Sequence, residues 1–282
     1  MPSMKSIKRR IKSVNATKKI MKAMNMVSAS KLQKARIQLN AARPFLSEAS
    51  RVIDNLKNCN ERLESIFVKQ RQVNNTAYVV ITSDRGLCGS FNTNVAEKAH
   101  SHMKEGKNEH VIALGLKGRD YLRRRGKNVL RSYAGISETA FYEDAVSIAS
   151  ILASLYTSGE VDEAYLAYTH FESTLTYVPR LVKILPLSIE REAVKKVDEM
   201  KYERDVNYFL DHAIPMYLSA LIYAALAESL ACEQAARMMS MDSAVKNASD
   251  IIDKLTRTYN RRRQAYITQE ISEIVSGANI ST

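Results

Sequence analysis

Apolar residues recur at alternating steps of four and three along the first part of the chain. These steps give a stripe of eleven positions: Ile7, Ile11, Val14, Lys18, Met21, Asn25, Ser28, Leu32, Ala35, Leu39 and Ala42. Three of the positions are polar, and the spacing continues through them without a shift. A sustained heptad stripe is typical of a coiled-coil helix. The sequence therefore predicts a long helix over residues 3–56, with a bend expected at Pro44 because proline removes a helix hydrogen bond.

The same spacing returns near the other end of the chain. There it gives the stripe Met241, Val245, Ala248, Ile252, Leu255, Tyr259, Arg262 and Tyr266. No proline or glycine occurs between Met216 and Ser276, so one helix of about 60 residues, roughly 90 Å long, is expected. Such a helix is too long for a compact domain of this size. We expect the two helices to pair as a long antiparallel coiled coil.

The middle of the chain follows a different pattern. Five stretches read as strands: residues 76–83, 110–118, 127–134, 162–172 and 177–188. Two stretches with helical spacing, 92–104 and 142–156, lie among them. Strands that alternate with helices indicate an α/β fold. We expect an inserted Rossmann-like open α/β domain at 73–205, between coiled-coil segments at 1–72 and 206–282.

Charge is concentrated at the N-terminus. The chain has 282 residues and a net charge of +12, and the first 47 residues hold twelve Lys or Arg and no acid, which leaves 30 basic against 30 acidic residues elsewhere. Three interpretations fit this segment: a transit peptide, an arm that binds nucleic acid, or a solvated helix face. The long heptad register argues against a transit peptide. No aromatic residue precedes Phe45, which argues against stacking on bases.

Candidate chemistry elsewhere is sparse. Three cysteines, at 59, 88 and 232, match no metal spacing, and the five histidines lie in no nucleophile or metal motif. We expect no catalytic residues, no metal and no cofactor. The longest run without charges, 212–227, is shorter than the roughly 20 residues that span a bilayer, so no direct membrane insertion is expected.

The stretch SDRGLCGSFNTN at 83–94 follows the first strand and has the composition of a phosphate-binding loop. It lacks both the GxxxxGK[ST] and the GxGxxG patterns. A turn between a strand and a helix needs glycine in any case. We interpret the stretch as a structural turn and expect Asn92 or Thr93 to cap the following helix.

Three blocks of sequence resemble the gamma subunit of bacterial F-type ATP synthases. They are IKRRIKSVNATKKIMKAMNMVSASKLQKA at the start, SDRGLCGSFNTN in the middle and EQAARMMSMDSAVKNASDIIDKLTRTYNRRRQAYITQEISEIVSGA at the end. The resemblance implies a central-stalk rotor whose coiled coil turns inside a ring of alpha and beta subunits. It implies that the α/β domain contacts the epsilon subunit and the c ring. It also implies a peripheral location on the cytoplasmic face of a bacterial plasma membrane.

The resemblance also implies which residues contact the partner subunits. The contacts with the catch loops of beta fall on hydrogen-bonding or apolar groups of both helices: Met24, Arg237, Gln264, Thr268 and Glu270. Met21 stands where the family usually has threonine. The apolar stripe changes register near the C-terminus, and a helix that changes its apolar face changes its partner. We therefore expect an apolar bearing to receive Ile267, Ile271, Ile274 and Val275.

The basic segment gives a first testable prediction against the alternative function, a basic coiled-coil protein that binds nucleic acid. Any DNA binding by the purified chain should be independent of sequence and should fall steeply between about 50 and 200 mM salt, because it would rest on phosphate contacts alone. Fluorescence anisotropy with two unrelated duplexes measures this. Tight binding of one duplex at physiological salt would support the alternative.

Overall fold

The structure is a computed structural model that describes residues 3–57, 65–103, 108–136, 141–187 and 206–280. Cys59 lies outside these ranges. The chain forms two compact units, one made of 1–28 with 238–282 and one made of 29–237. In chain order the elements are α1 (Met4–Lys57), β1 (Asn75–Ile81), α2 (Phe91–His102), β2 (Asn108–Leu114), α3 (Leu116–Arg123), β3 (Val129–Tyr133), α4 (Tyr142–Thr157), β4 (Glu163–Phe171), β5 (Tyr177–Leu185) and α5 (Val206–Ile280).

The predicted stripe of α1 is confirmed as its least exposed face. Every member from Ile7 to Ala42 is buried or half-buried, and six of them are fully buried: Ile7, Ser28, Leu32, Ala35, Leu39 and Ala42. Pro44 lies inside the helix. The heptad spacing thus identified both the helix and the side it buries.

The stripe of α5 is confirmed as far as Arg262. Its members from Met241 to Arg262 are buried or half-buried, whereas Tyr266 is 55% exposed. Within the same compact unit, the Asn25 side-chain amide donates a hydrogen bond to the carbonyl of Met238 at 2.9 Å. A polar group at a stripe position that binds the facing helix fixes the register of the pair.

In the larger unit the two long helices run antiparallel. Arg43 of α1 contacts Glu228 of α5, whereas Asp54, further along α1, lies near Tyr217, which is earlier on α5. The residue numbers rise on one helix as they fall on the other. This opposite direction confirms the predicted antiparallel pairing of the terminal helices.

All five strands form one sheet in the order β3-β2-β1-β4-β5. The first four are parallel and β5 is antiparallel to β4. The order reverses between β1 and β4, because the chain moves outward from β1 to β3 and then returns to the other side of β1. This arrangement confirms an open, Rossmann-like α/β sheet, with an antiparallel edge strand.

The sheet is covered on both faces. Tyr78 and Val80 of β1 pack with Val95 and Ala99 of α2 and Leu122 of α3 in one cluster. Because side chains alternate along a strand, Ala77, Val79 and Ile81 face the opposite side, and they are also buried. The short helix α3 was not predicted, since its residues LKGRDYLR contain only two large aliphatic side chains.

Gly115 is required at the turn between β2 and α3. It has φ 97° and ψ 140°, a conformation open essentially only to glycine. A Cβ built on it would lie 2.2 Å from the backbone oxygen of Thr82. The Thr82 hydroxyl in turn accepts the Gly118 N–H at 2.9 Å, so the start of α3 is bound tightly to the end of β1.

This turn gives a prediction with an internal control. Gly115→Ala should lower the free energy of unfolding by about 3 kcal/mol or more, because left-handed strain adds to overlap with backbone. Gly126→Ala should cost only about 1 kcal/mol, because Gly126 also has a positive φ of 73° but has no atom within 4 Å of the added Cβ. Urea denaturation of the two variants compares them. Equal losses would contradict the steric argument.

Candidate functional site

The turn after β1 is held together by its own side chains. The Asn92 side-chain oxygen accepts the Ser83 N–H at 2.8 Å, and its amide donates to the Ser83 hydroxyl at 2.8 Å and to the Cys88 sulfur at 3.2 Å. Asn92 therefore closes the loop. The expectation that Asn92 or Thr93 caps α2 is wrong, because the helix begins at Phe91 with Ser90 as its N-cap.

Asp84 connects the same turn to two other elements. One carboxylate oxygen accepts the Leu116 N–H at 2.9 Å, at the start of α3, and the other accepts the Gly135 N–H at 2.8 Å, just after β3. A carboxylate at a helix start satisfies a free N–H and matches the helix dipole. Asp84 therefore attaches the turn to the start of α3 and to the segment after β3.

Helix α5 lies across the carboxyl end of β4. The ladder between β1 and β4 ends at Val80 and Ala167, and Thr169 lies two residues further along. Its N–H donates to the Ser229 hydroxyl at 3.3 Å, and its carbonyl accepts the Cys232 thiol at 3.5 Å. Side chains of α5 therefore bind the backbone of Thr169 on the side of β4 where the pairing with β1 has ended. We call these contacts, with those of Glu228 and Arg237 described below, the helix seat.

Arg237 joins α5 to the turn after β1. Its guanidinium pairs with Glu233 at 2.6 Å and donates two hydrogen bonds to the Gly86 carbonyl, each of 3.4 Å. Only 8% of Arg237 is exposed. The guanidinium is thus held inside the described chain, and its contact with a beta catch loop stays a prediction.

The helix seat occupies the place where open α/β sheets bind ligands. Such ligands lie outside the carboxyl ends of the strands at the point where the strand order reverses. Here that point is between β1 and β4, and α5 contacts the loop after one strand and the end of the other. The contacts of Gly86 and Thr169 with α5 favour the structural interpretation of SDRGLCGSFNTN over a nucleotide site.

Both described cysteines are buried packing groups. Burial raises the pKa of Cys88 and of Cys232 above the ordinary value of a thiol. A raised pKa disfavours the thiolate, which is the nucleophilic form. Within the described ranges, no group of three or more His, Cys, Asp or Glu side chains is placed to hold a metal ion.

One helix meets the length and composition of a membrane span. Within Tyr208–Val275 of α5, an 18-residue stretch has a mean hydropathy of 1.4, but 72% of that stretch is buried inside the protein. Core helices have the same composition. Every residue from Ala224 to Arg237 is buried, so burial within the chain accounts for the apolar sequence of this part of the helix.

The remaining predicted contact residues lie in the smaller unit. Met24 is half-buried, and Gln264, Thr268 and Glu270 are exposed. The Thr268 hydroxyl donates to the Gln264 carbonyl at 2.9 Å, within the helix. The side chains of Gln264 and Glu270 face solvent in the described chain. The exposed positions are compatible with partner contacts, which stay predictions.

The end of α5 presents apolar side chains to solvent. The exposed fractions are 44% for Ile267, 56% for Ile271, 70% for Ile274 and 54% for Val275. Every described side chain from Arg263 to Val275 is exposed. We call this segment the C-terminal tip. Four large aliphatic side chains within nine positions of one solvated helix are the feature expected of a surface that another chain covers.

The residues of the helix seat were not predicted from the sequence, apart from Arg237. A usable signal exists, because AALAESLACEQAAR at 224–237 is dense in small residues and contains only three charges. Small residues on all sides of a helix indicate that other elements approach it from all sides. The specific partners of Ser229 and Cys232 depend on the sheet and could not be read from this pattern.

Comparison with known proteins gives full-length matches. The sequence model of the family described as ATP synthase matches residues 3–280. The ATP synthase gamma chain of Alkaliphilus metalliredigens (strain QYMF) is 45% identical over 281 residues, which cover 98% of this chain and 97% of the relative. The sodium ion specific gamma chain of Acetobacterium woodii is 39% identical over 295 residues, covering 98% of each chain.

Solved structures share the fold. A chain in the Euglena gracilis mitochondrial ATP synthase structure of OSCP, F1 and c-ring has a TM-score of 0.71 and 17% identity, with coverage of 98% of this chain and 93% of that chain. A chain in the Tetrahymena thermophila central stalk and c-ring structure has a TM-score of 0.60 and 24% identity, with coverage of 80% and 99%.

Fold and helix seat together define a protein of two long terminal helices with an α/β domain inserted between them and attached to both. The full-length matches make the assignment specific. The chain belongs to the ATP synthase family and, within it, to the gamma chains.

The helix seat gives a prediction at Thr169. Among the described residues, its hydroxyl oxygen is buried and has no hydrogen-bond partner. Thr169→Val should leave the free energy of unfolding unchanged or raise it by about 1 kcal/mol, because it removes an unsatisfied polar group. Ser229→Ala should lower it by about 1 to 3 kcal/mol, because it leaves the buried Thr169 N–H without its acceptor. Thermal and urea unfolding of both variants test this, and a large loss in Thr169→Val would show that its hydroxyl is bonded.

Proposed function

We propose that this chain is the central-stalk rotor subunit of an F-type ATP synthase. In this role it couples ion translocation through the membrane sector to ATP synthesis or hydrolysis at the beta subunits. The observation that carries the proposal is the C-terminal tip, in a chain that belongs to the gamma chains along its whole length. A helix end with four exposed aliphatic side chains fits an apolar bearing formed by the ring of alpha and beta subunits.

The proposed mechanism is mechanical coupling. An asymmetric rotor makes different contacts with each of three beta subunits, so its rotation shifts their open and closed populations through differences in interaction free energy. Met24, Gln264, Thr268 and Glu270 are the proposed contacts with the catch loops of beta. Arg237 is retained as a fifth proposed contact, although the helix seat holds its guanidinium in the described chain.

The α/β domain is the proposed attachment to the other rotor parts. It would contact the epsilon subunit and the c ring, and the similarity of fold to a chain in a central stalk and c-ring structure supports this placement. The complex would hold the chain peripherally at the cytoplasmic face of a bacterial plasma membrane. Direct membrane insertion is not part of the proposal, since the apolar stretch of α5 is mostly buried.

The chain itself is proposed to catalyse nothing. The occupied carboxyl edge of the sheet and the protonated, buried thiols support this proposal. The alternative of a nucleic-acid-binding coiled coil finds no support among the matched proteins, which are gamma chains. Under this proposal, the twelve Lys and Arg side chains of the first 47 residues form a basic face of a rotor helix.

The proposed contacts predict a specific loss of function. Gln264 and Thr268 are four positions apart and so share one helix face, where a single loop can bind both. The double variant Gln264→Ala with Thr268→Ala should lower ATP turnover and ion pumping together, on the order of tenfold, because each lost hydrogen bond is worth about 1 kcal/mol. Both rates are measured on purified complex with full occupancy of this subunit.

Thr258→Ala is the matched control. Its hydroxyl is exposed and donates to the carbonyl four residues earlier at 2.9 Å, as that of Thr268 does. The control should keep both rates, which separates partner contacts from loss of an intrahelical bond. If the double variant also kept both rates, Gln264 and Thr268 would not be contact residues, although the rotor assignment would stand.

A further inference from the structure

A buried carboxylate joins three elements of the larger unit. Glu228 of α5 is 8% exposed. Its carboxylate lies 2.6 Å from Nδ1 of His170 on β4 and 3.4 Å from the guanidinium of Arg43 on α1. The same guanidinium nitrogen of Arg43 donates to the Phe171 carbonyl at 2.9 Å. We call this group of Glu228, His170 and Arg43 the clasp.

Stability alone does not explain a charge at this position. Burying a carboxylate costs several kcal/mol before its partners compensate, and replacing a whole buried ion pair by apolar residues of similar volume is often neutral or stabilising. Ala224 and Ala231, one turn before and one turn after Glu228 on α5, are buried small residues. The clasp restrains the relative orientation of its three elements, because hydrogen bonds depend on angle as well as distance.

Apolar packing is incomplete beside the clasp. A cavity of about 270 Å³ lies between the two long helices and β4. Beside Arg43 and Glu228 it is lined by Ser47 and Ser50 of α1, Tyr168 of β4 and Leu221 of α5. Atoms that line this open pocket face solvent instead of close-packed side chains. The polar bonds of the clasp therefore provide a larger share of the restraint at this level.

The clasp lies where both long helices are attached to the sheet. Helix α1 continues from Arg43 back to Met4, and α5 continues from Glu228 on to Ile280. Any torque that passes between the α/β domain and these helices is transmitted through the contacts that attach them. His170 and Phe171 supply the sheet side of the clasp, and Arg43 and Glu228 supply one group from each helix.

We infer that Glu228 is a positioning residue that sets the torsional stiffness of the attachment between the α/β domain and the two long helices. The carboxylate holds one group from each of α1 and β4 in fixed directions, so that rotation of the domain turns both helices together. This inference rests on the proposed rotor function and names the residue that would make the rotor stiff.

The test measures angular fluctuation in single assembled complexes. The ring of alpha and beta subunits is fixed to a surface and a probe is attached to the α/β domain, so that the variance of the probe angle during a pause reports torsional stiffness. Glu228→Gln and Glu228→Leu should each raise the variance about twofold, since each removes the charge that strengthens the polar contacts. ATP hydrolysis without load should be unchanged, and pumping against a gradient should fall.

Glu163→Gln is the matched control. Glu163 forms an ion pair of 2.6 Å with Lys183 and accepts the Tyr165 hydroxyl, so these contacts lie within the sheet, between β4 and β5. The variance should stay at the wild-type value. Arg43→Gln is the second variant of the clasp, and its side chain is 47% exposed, so the change buries no new group. It should raise the variance less than the Glu228 variants do.

Stability measurements separate positioning from a purely structural role. Glu228→Leu leaves Arg43 and His170 without their shared partner and should lower the free energy of unfolding, as Gly115→Ala is expected to do at the turn before α3, but only Glu228→Leu should also raise the variance. The inference would be overturned if the variance of the probe angle rose in every destabilised variant, in proportion to the loss of stability. It would also be overturned if the variance were unchanged in Glu228→Gln and Arg43→Gln. A wild-type probe that did not rotate with ATP would instead contradict the proposed function. Rotation with equal stiffness in all variants would contradict only the role of Glu228.

Discussion

The burial of α5 at the carboxyl edge of the sheet is the constraint on which the larger unit depends. Backbone groups on the side of a strand where the neighbouring strand has ended need partners when they are buried. Thr169 obtains them from Ser229 and Cys232, and Gly86 obtains one from Arg237. A helix of another composition in this place would leave these groups unsatisfied. The sequence of α5 is therefore determined by the sheet as much as by its helical partner.

This arrangement explains why a loop with the composition of a phosphate site serves a different purpose. The topology creates a crevice at the strand reversal, and in many α/β proteins a ligand fills it. Here a helix of the same chain fills it, and the loop side chains are directed to backbone groups. Asp84 accepts N–H groups at the start of α3 and just after β3, and Asn92 accepts the Ser83 N–H and so closes the turn. The same fold that binds a ligand elsewhere binds its own helix in this chain.

The parts of the fold that were predictable are those with a regular repeat. The heptad stripe from Ile7 and the apolar strands indicated the helices and the sheet correctly, because periodicity reports which side of an element is buried. Helix α3 was missed since it is short and mostly polar. The burial of Arg237 was missed for a different reason. A heptad pattern describes contact with one partner helix, whereas Arg237 lies in a stretch that also contacts the sheet.

The C-terminal tip shows the opposite case, in which the chain leaves a helix without packing. Most helices in proteins are stabilised by tertiary contacts of one face, and isolated helices are marginal in water. Past Arg262, the described side chains of α5 are exposed, and local bonds such as that of Gln269 with Glu273 at 2.9 Å are the stabilising contacts observed there. Burying one isoleucine contributes about 1.5 to 3 kcal/mol. A surface that received the tip would therefore stabilise the helix as it bound it.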